Sequence, residues 1–286
     1  MVVAFLVSWI DRKVSALVHW RVGPPVLQSY YDFMKLMKKE TIIPKEANTI
    51  VFLLSPIVSF AALVLISILL VKSNITRTGY MGDIIVVIYM LIIPSLAVMM
   101  GGAASANPLA SLGASREMKM VLSYELPFII ALCVVLIKTQ GALGIDGIIS
   151  YQVQNGIIIG SVSGFLAFVV TFICFQSKMA QIPFDIPEAE QEIMGGAVIE
   201  YSGPPLGLFV ISRWILMALL PYLIVILFLG GVNSILGICK YVAVLVLVIL
   251  TKNTNPRLTI KQTVNFFWGY VTIIAVAAVI LAFIGL

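Results

Sequence analysis

The chain is poor in charge and in metal-binding side chains. Of its 286 residues, 11% are charged and 61% are hydrophobic, with a mean hydropathy of +1.10. A soluble domain carries about 25% charged residues. A soluble core of this composition would lack the polar surface to cover itself, so lipid must serve as the outer solvent. His19 is the single histidine, which alone cannot build a zinc or haem site. The three cysteines, Cys133, Cys174 and Cys239, lie far apart in apolar stretches. They form neither a secreted disulfide framework nor a CxxC metal or cluster site. Phosphate-binding loop, dinucleotide-binding glycine fingerprint and nucleophile–base pair are all missing, so no catalytic set is expected. No internal repeat, low-complexity segment or soluble domain stands out. The net charge of +5 and pI near 9.1 read as basic loops that set membrane topology rather than as a nucleic-acid surface.

A bilayer-crossing helix needs roughly 20 mostly apolar residues. Candidates fall at about 50–71, 84–104, 121–138, 156–176, 206–229, 233–250 and 266–286. The opening run MVVAFLVSWI is half that length, and Asp11, Arg12 and Lys13 follow it directly. Its basic residues come after the apolar run and no cleavage site follows, which argues against a signal peptide. Residues 1–20 therefore read as a short first helix. The expectation is an all-α integral membrane protein, a single multi-pass domain over 1–286, with eight spanning helices and amphipathic loop helices.

Lysines and arginines assign the loops to sides. Loops 1, 3, 5 and 7, with their flanks, hold 14 basic residues, and the even loops hold only Lys72, Arg77 and Lys138. The odd loops are thus expected in the cytoplasm, with both termini outside the cell membrane. Eleven of the 13 acids share that side; only Asp83 and Asp146 do not. Anchoring alone needs basic residues. A matched set of both signs suggests a docking surface, a polar cavity, or both.

Three constellations carry most of that charge. In the first, Arg21-Val-Gly-Pro-Pro forces a turn, and residues 30–39 form an amphipathic helix that Pro44 stops. This helix either lies on the leaflet or covers a cavity with Arg21, Asp32 and Lys35 at its mouth. The second is Glu125 in Ser-Tyr-Glu-Leu-Pro, about four residues into the fourth span. A carboxylate inside a spanning helix costs about 2.5–3.5 kcal/mol, so Glu125 either sits at the interface or faces water and carries protons. The third runs from Gln181-Ile-Pro-Phe-Asp185 through Glu188, Glu190 and Glu192 to Glu200-Tyr201-Ser202-Gly203. Pro187 suits a helix start, and the helix dipole favours acids in the first turns. Glu188 and Glu192 would then share one face and repel each other, which suits a proton relay. Gly195-Gly196 would permit movement. The small residues at Gly101-Gly102 suit either close helix packing or, with Asn107-Pro108, a break that gives an irregular helix end. Asn255-Pro256-Arg257 marks a helix stop with an arginine facing a phosphate or a partner.

These stretches resemble the H subunit of respiratory complex I and its counterpart, the membrane-anchor subunit of energy-converting membrane-bound hydrogenases. Arg21-Val-Gly-Pro with Leu27-Gln28, Asp32, Lys35-Leu36 and Ile43-Pro44 resembles the family's first loop. Ser123-Tyr124-Glu125 with Pro127 resembles its helix motif, and Pro183-Phe184-Asp185 through Glu200-Tyr201 its acidic loop. Asn255-Pro256-Arg257 resembles its last loop. The match spans residues 11–261. The first helix is shorter than the family pattern, Ser29 replaces a proline, and Pro24-Pro25-Val26 replaces a glycine-rich spacer. The acidic-loop variant looks closer to the archaeal hydrogenase-like branch, which argues against a bound quinone.

The resemblance implies a non-catalytic subunit that docks a peripheral hydrogenase-like large and small subunit pair. It couples their redox reaction, with protons or a sulfur compound as the redox partner, to proton or sodium movement through antiporter-like membrane subunits. Glu125, Asp185, Glu188, Glu190, Glu192 and Glu200 would form the proton connection, and Arg21, Asp32, Lys35 and Arg257 the docking mouth. No cofactor is expected in this chain; iron–sulfur clusters, and nickel–iron in the hydrogenase branch, belong to partner subunits. Two alternatives stay open. One is the quinone-site subunit of a complex I-type oxidoreductase. The other is a standalone secondary transporter, whose paired broken helices are not evident.

Overall fold

The computed structural model describes residues 1–77, 79, 83–232 and 234–285, and of Glu190 and Gln191 the backbone alone. Every regular element among the described residues is helical. Helices stand at all eight expected positions: α1 (Val2–Val18), α3 (Thr49–Thr76), α4 (Asp83–Ala104), α5 (Pro108–Lys138), α7 (Val162–Lys178), α9 (Gly203–Phe228), α10 (Ile235–Thr254) and a final span, Ile260–Ile284. Six are long and apolar enough to cross a membrane, and α1 and α7, of 17 residues each, are shorter. The amphipathic α2 (Gln28–Met37) follows α1 and begins two residues before its expected start. In the final span, α11 (Ile260–Asn265) passes through a π turn, Phe266–Val271, into α12 (Thr272–Ile284).

Local signals explain the helix starts. Asn48, Asn107, Ser161, Ser234 and Thr259 each precede a helix and accept a backbone N–H of its first turn. Thr259 and Gln262 complete a reciprocal capping box. Pro56, Pro94, Pro127 and Pro221 lie inside spans, where neighbouring helices compensate for the lost N–H.

Two differences from the sequence reading bear on the site. The fourth span begins at Pro108, not near residue 121. Ser105-Ala106-Asn107 is therefore the whole connection between α4 and α5, and Arg116, Lys119 and Glu125 all ride on one continuous helix. The sequence window missed this because the charges between 116 and 125 dilute its hydropathy. Residues 145–155, expected as loop, form α6, which the Gln152 amide ties to the carbonyls of Ile226 and Leu227 at 2.9 and 3.2 Å. Eleven residues are too few for a spanning signal.

The helices gather around α9, the most buried span, which packs against α1, α2, α3, α7 and α10. Loop contacts sort the two ends of the bundle. At one end, Ile42 N–H donates to Ser202 Oγ at 2.9 Å, Asn48 N–H to the Ala104 carbonyl at 3.0 Å, and Leu258 N–H to the Pro183 carbonyl at 3.1 Å. Loops 1, 3, 5 and 7 thus share one face. At the other end, Asn74 bonds both backbone groups of Val232 at 3.2 Å, and Ile84 N–H donates to the Leu143 carbonyl. Lys240, assigned to neither side above, donates to the Leu229 carbonyl at this end.

Candidate functional site

Loop 5, residues 179–202, is short on regular structure for a stretch so rich in helix formers. A turn at Ile186–Glu188 ends at Ala189, whose ψ of 99° breaks the helix before α8 (Glu190–Ile193) begins. Glu188 and Glu192 therefore do not share a helix face. Their expected mutual repulsion is replaced by separate ion pairs.

Each acid whose side chain is described has a partner on a different element. Asp185 pairs with Arg257 of loop 7 at 2.8 Å. Glu188 pairs with Arg213 of α9. Glu192 accepts from Arg116 of α5 at 2.6 Å, and Arg116 also reaches the Ile186 carbonyl. Glu200 accepts from the side-chain amide of Asn107 in the α4–α5 hinge. The Glu190 side chain lies outside the described residues. Deeper in, Glu125 accepts from Lys178 at 3.2 Å, and the Lys178 ammonium lies over the Tyr124 and Phe128 rings, 5.2 and 5.8 Å from their centroids. Lys178 is 1% exposed and Glu125 13%. Burial of this order makes the pair costly to break from one side only.

Close packing seats the loop. A Cβ on Gly113 would strike the Ala197 backbone, and one on Gly196 the Pro187 carbonyl, where φ is +58° besides. Gly196 thus serves close approach rather than the mobility its sequence suggested. Gly101 and Gly102 do pack closely, but against Tyr201 and Ala197 of loop 5 as well as against a helix. Tyr201 stacks on Phe52 at 4.0 Å and 3°, and its hydroxyl bonds Ser55 and the Phe52 carbonyl. At the other end, Phe184 is buried against Phe266 and Phe267 of the π turn, with centroids 6.1 and 5.0 Å away.

Three cavities open around this segment. One of about 430 Å³ is lined by Asp11, Asp185, Glu188, Arg213, Lys252 and Arg257 among others. One of about 320 Å³ lies between loops 5 and 7, with Arg116, Glu192 and Lys261 on its walls. A third, of about 50 Å³, has room for water alone and is lined by Glu117, Lys178, Glu188, Arg213, Ser95 and Ser212. Two apolar cavities, of about 360 and 590 Å³, lie at the opposite end of the bundle, beside Met1, Val71 and, for the smaller, Tyr222.

Asp32 accepts from Arg12 at 2.7 Å and Gln28 at 2.9 Å, which ties α2 to α1. Burial pushes its carboxyl up, but those hydrogen bonds and the charges of Arg12 and Lys35 outweigh it and hold Asp32 below the usual carboxylate range. Lys35 is exposed, and Arg21 is exposed with no ion pair among the described residues. The structure thus joins Asp32 with Arg12 and Lys35 but not with Arg21. The sequence reading used Arg12, Arg116, Lys178 and Arg213 only to assign sides. Their sharing one end with the acids was the signal that pairs would form. Cys174 is buried in α7, while Cys133 and Cys239 sit on exposed faces of α5 and α10.

The helices define a polytopic membrane protein with an ion-paired face, and the chain's relatives place it among the membrane subunits of redox complexes. The chain belongs to the NADH dehydrogenase family, whose model matches residues 1–283. It is 30% identical to the H subunit of the NADH-quinone oxidoreductase of Bacillus cytotoxicus, over 95% of this chain and 86% of that one. It is 31% identical to the corresponding oxidoreductase chain of Geobacillus thermodenitrificans, over 90% and 82%. Its fold matches a chain of the membrane-bound sulfane sulfur reductase, an archaeal respiratory membrane complex. The TM-score there is 0.88 and the identity 30%, covering 98% of this chain and 94% of that one.

Proposed function

We propose that the chain anchors a peripheral electron-transfer module on its odd-loop face, the cytoplasmic one, and couples that module's redox reaction to proton or sodium movement through antiporter-like neighbours. The module is a hydrogenase-like large and small subunit pair that carries the iron–sulfur and nickel–iron centres outside this chain. The clamp on loop 5 carries the proposal. Its acids are balanced by bases from α5, α9 and loop 7. A redox event that displaces the loop separates these pairs, and the cost falls on the less exposed carboxylates, Asp185 and Glu188, which lose their counter-charge. The position of the loop and its proton inventory are then linked. Arg257 acts in the clamp itself, and Arg21 is left free to meet the docked module.

The names of the Bacillus and Geobacillus relatives favour the quinone reading. Two observations support the hydrogenase-like one. The sulfane sulfur reductase chain matches over nearly its whole length, and the odd-face cavities are lined with charge, while the apolar ones lie at the far end. The test is to purify the complex from native membranes, identify its subunits and measure ion uptake in proteoliposomes. The expected neighbour ligates nickel through four cysteines. Glu125→Gln and Glu192→Gln are expected to spare assembly and turnover with an artificial donor but to lower ions moved per electron. Quinone-dependent turnover without a nickel-ligating subunit would replace this reading with the quinone one. Ion transport by the isolated chain would replace it with a transporter.

A further inference from the structure

Lys178 closes α7 at the odd face and is almost wholly buried. It faces two carboxylates on one helix, Glu125 and Glu117, which lie eight residues apart on α5. Its ammonium touches Glu125 Oε2, and the same side chain lines the water-sized cavity that also holds Glu117. The groups around it are Glu117, Tyr124 and Glu125 of α5, Cys174 of its own helix, Glu188 of loop 5 and Arg213 of α9. Of these, Glu188 is already held by Arg213. The second Glu125 oxygen, the Tyr124 hydroxyl and the Ser177 hydroxyl are buried with no hydrogen-bond partner among the described residues. Unsatisfied polar atoms on the residues that flank this pair mark a place where protein or water must rearrange to serve them. The arrangement therefore offers one mobile cation and two places for it. A lysine is suited to the role, being a point charge on a flexible four-carbon stem.

Resting on the coupling function proposed above, we propose that Lys178 is the charge that gates the acidic connection, moving between Glu125 and Glu117. While it sits on Glu125, that carboxylate stays ionised and takes no proton. When it turns into the cavity toward Glu117, Glu125 is left as an unpaired buried anion and takes a proton from the cavity side. The returning ammonium expels that proton onward. Lys178 keeps its own charge throughout, so one proton enters Glu125 and one leaves in each cycle. Loop 5 controls the position, because the Glu188–Arg213 pair forms part of the cavity wall.

The test uses the purified complex in proteoliposomes, reading ion uptake per redox turnover together with artificial-donor turnover of the peripheral module. Lys178→Met removes the charge and is expected to lower the uptake ratio at least tenfold while leaving artificial-donor turnover unchanged. Lys178→Arg keeps the charge and is expected to restore part of the ratio, which a purely space-filling role would not require. Glu117→Gln leaves the Lys178–Glu125 pair intact but removes the second station, and is expected to match Lys178→Met. If Lys178→Met does not assemble, the Glu117→Gln result decides. A parental complex that pumps, with either the Met variant or the Gln variant at the parental ratio, overturns this inference alone. A parental complex that moves no ion overturns the proposed function and this inference with it.

Discussion

Replacing Gly101 with alanine tests whether loop 5 is seated by contact with α4. The added methyl would overlap the Tyr201 hydroxyl and approach Ser55 Oγ at 2.6 Å. Alanine gains about 1 kcal/mol over glycine in a helix interior. Against that, the Tyr201 hydroxyl must leave its bonds to Ser55 at 2.9 Å and to the Phe52 carbonyl at 3.0 Å. Each such bond contributes about 1 kcal/mol net. Forcing a methyl into a packed contact costs about 1–3 kcal/mol more. The balance is a loss of about 2–4 kcal/mol, which corresponds to a fall in Tm of roughly 3–7 °C for a chain of this size. Tyr201→Phe alone should cost about 1 kcal/mol, since Ser55 keeps the Phe52 carbonyl as acceptor at 3.3 Å. With the hydroxyl gone the methyl still meets Ser55 Oγ, which can turn aside about its own χ1, so the double variant should be no less stable than Gly101→Ala. Thermal unfolding of the four proteins in detergent, followed by circular dichroism, completes the cycle. Additivity within about 0.5 kcal/mol would show that the two sites are independent and that the packing argument is wrong.

Further outcomes follow from the same geometry. The Asp32 carboxyl is held below its ordinary value in the folded state, so its tether between α1 and α2 is fully present above about pH 4 and is lost as pH falls through the lowered value. Hydrogen exchange in α2 should be constant between pH 7 and 5 once corrected for intrinsic rates and should rise below pH 4; Asp32→Asn should abolish the step. Replacing Cys133, Cys174 and Cys239 with alanine should leave the iron and nickel content of the complex unchanged, and any loss of metal would contradict their reading as small apolar residues. In that background, Met194→Cys places a thiol on an exposed part of loop 5. Impermeant reagents should fail to label it from outside intact cells, and labelling there would reverse the assigned orientation.

Fold class, span positions and the sorting of loops were legible in the chain alone. Each depends on local composition: runs of apolar residues long enough for a bilayer, and basic residues at one set of ends. The family resemblance was legible too, because it rests on short motifs such as Pro183-Phe184-Asp185 and Ser123-Tyr124-Glu125. What failed was whatever depended on neighbours distant in sequence. The break at Asn107-Pro108 was visible, but not that α5 starts there, because the charged residues of its first half lower the hydropathy that marks a span.

The acids themselves were identified from sequence as a line, with Glu188 and Glu192 repelling each other across one turn. Tertiary structure placed Arg213, 25 residues away, on the first and Arg116, 76 residues away, on the second. Sequence spacing cannot supply such partners, because the helices that bring them are aligned by side-chain packing, α9 against α1, α3 and α10 and α5 against α4, α7 and α12. The same holds for Lys178, which in the chain is one more basic residue at a helix end and in the fold is buried against Glu125. A sequence determines which charges exist and at which end of the bundle they lie. Which of them meet is decided by helix packing, since an ion pair at an apolar boundary is stable only where the partner arrives with it.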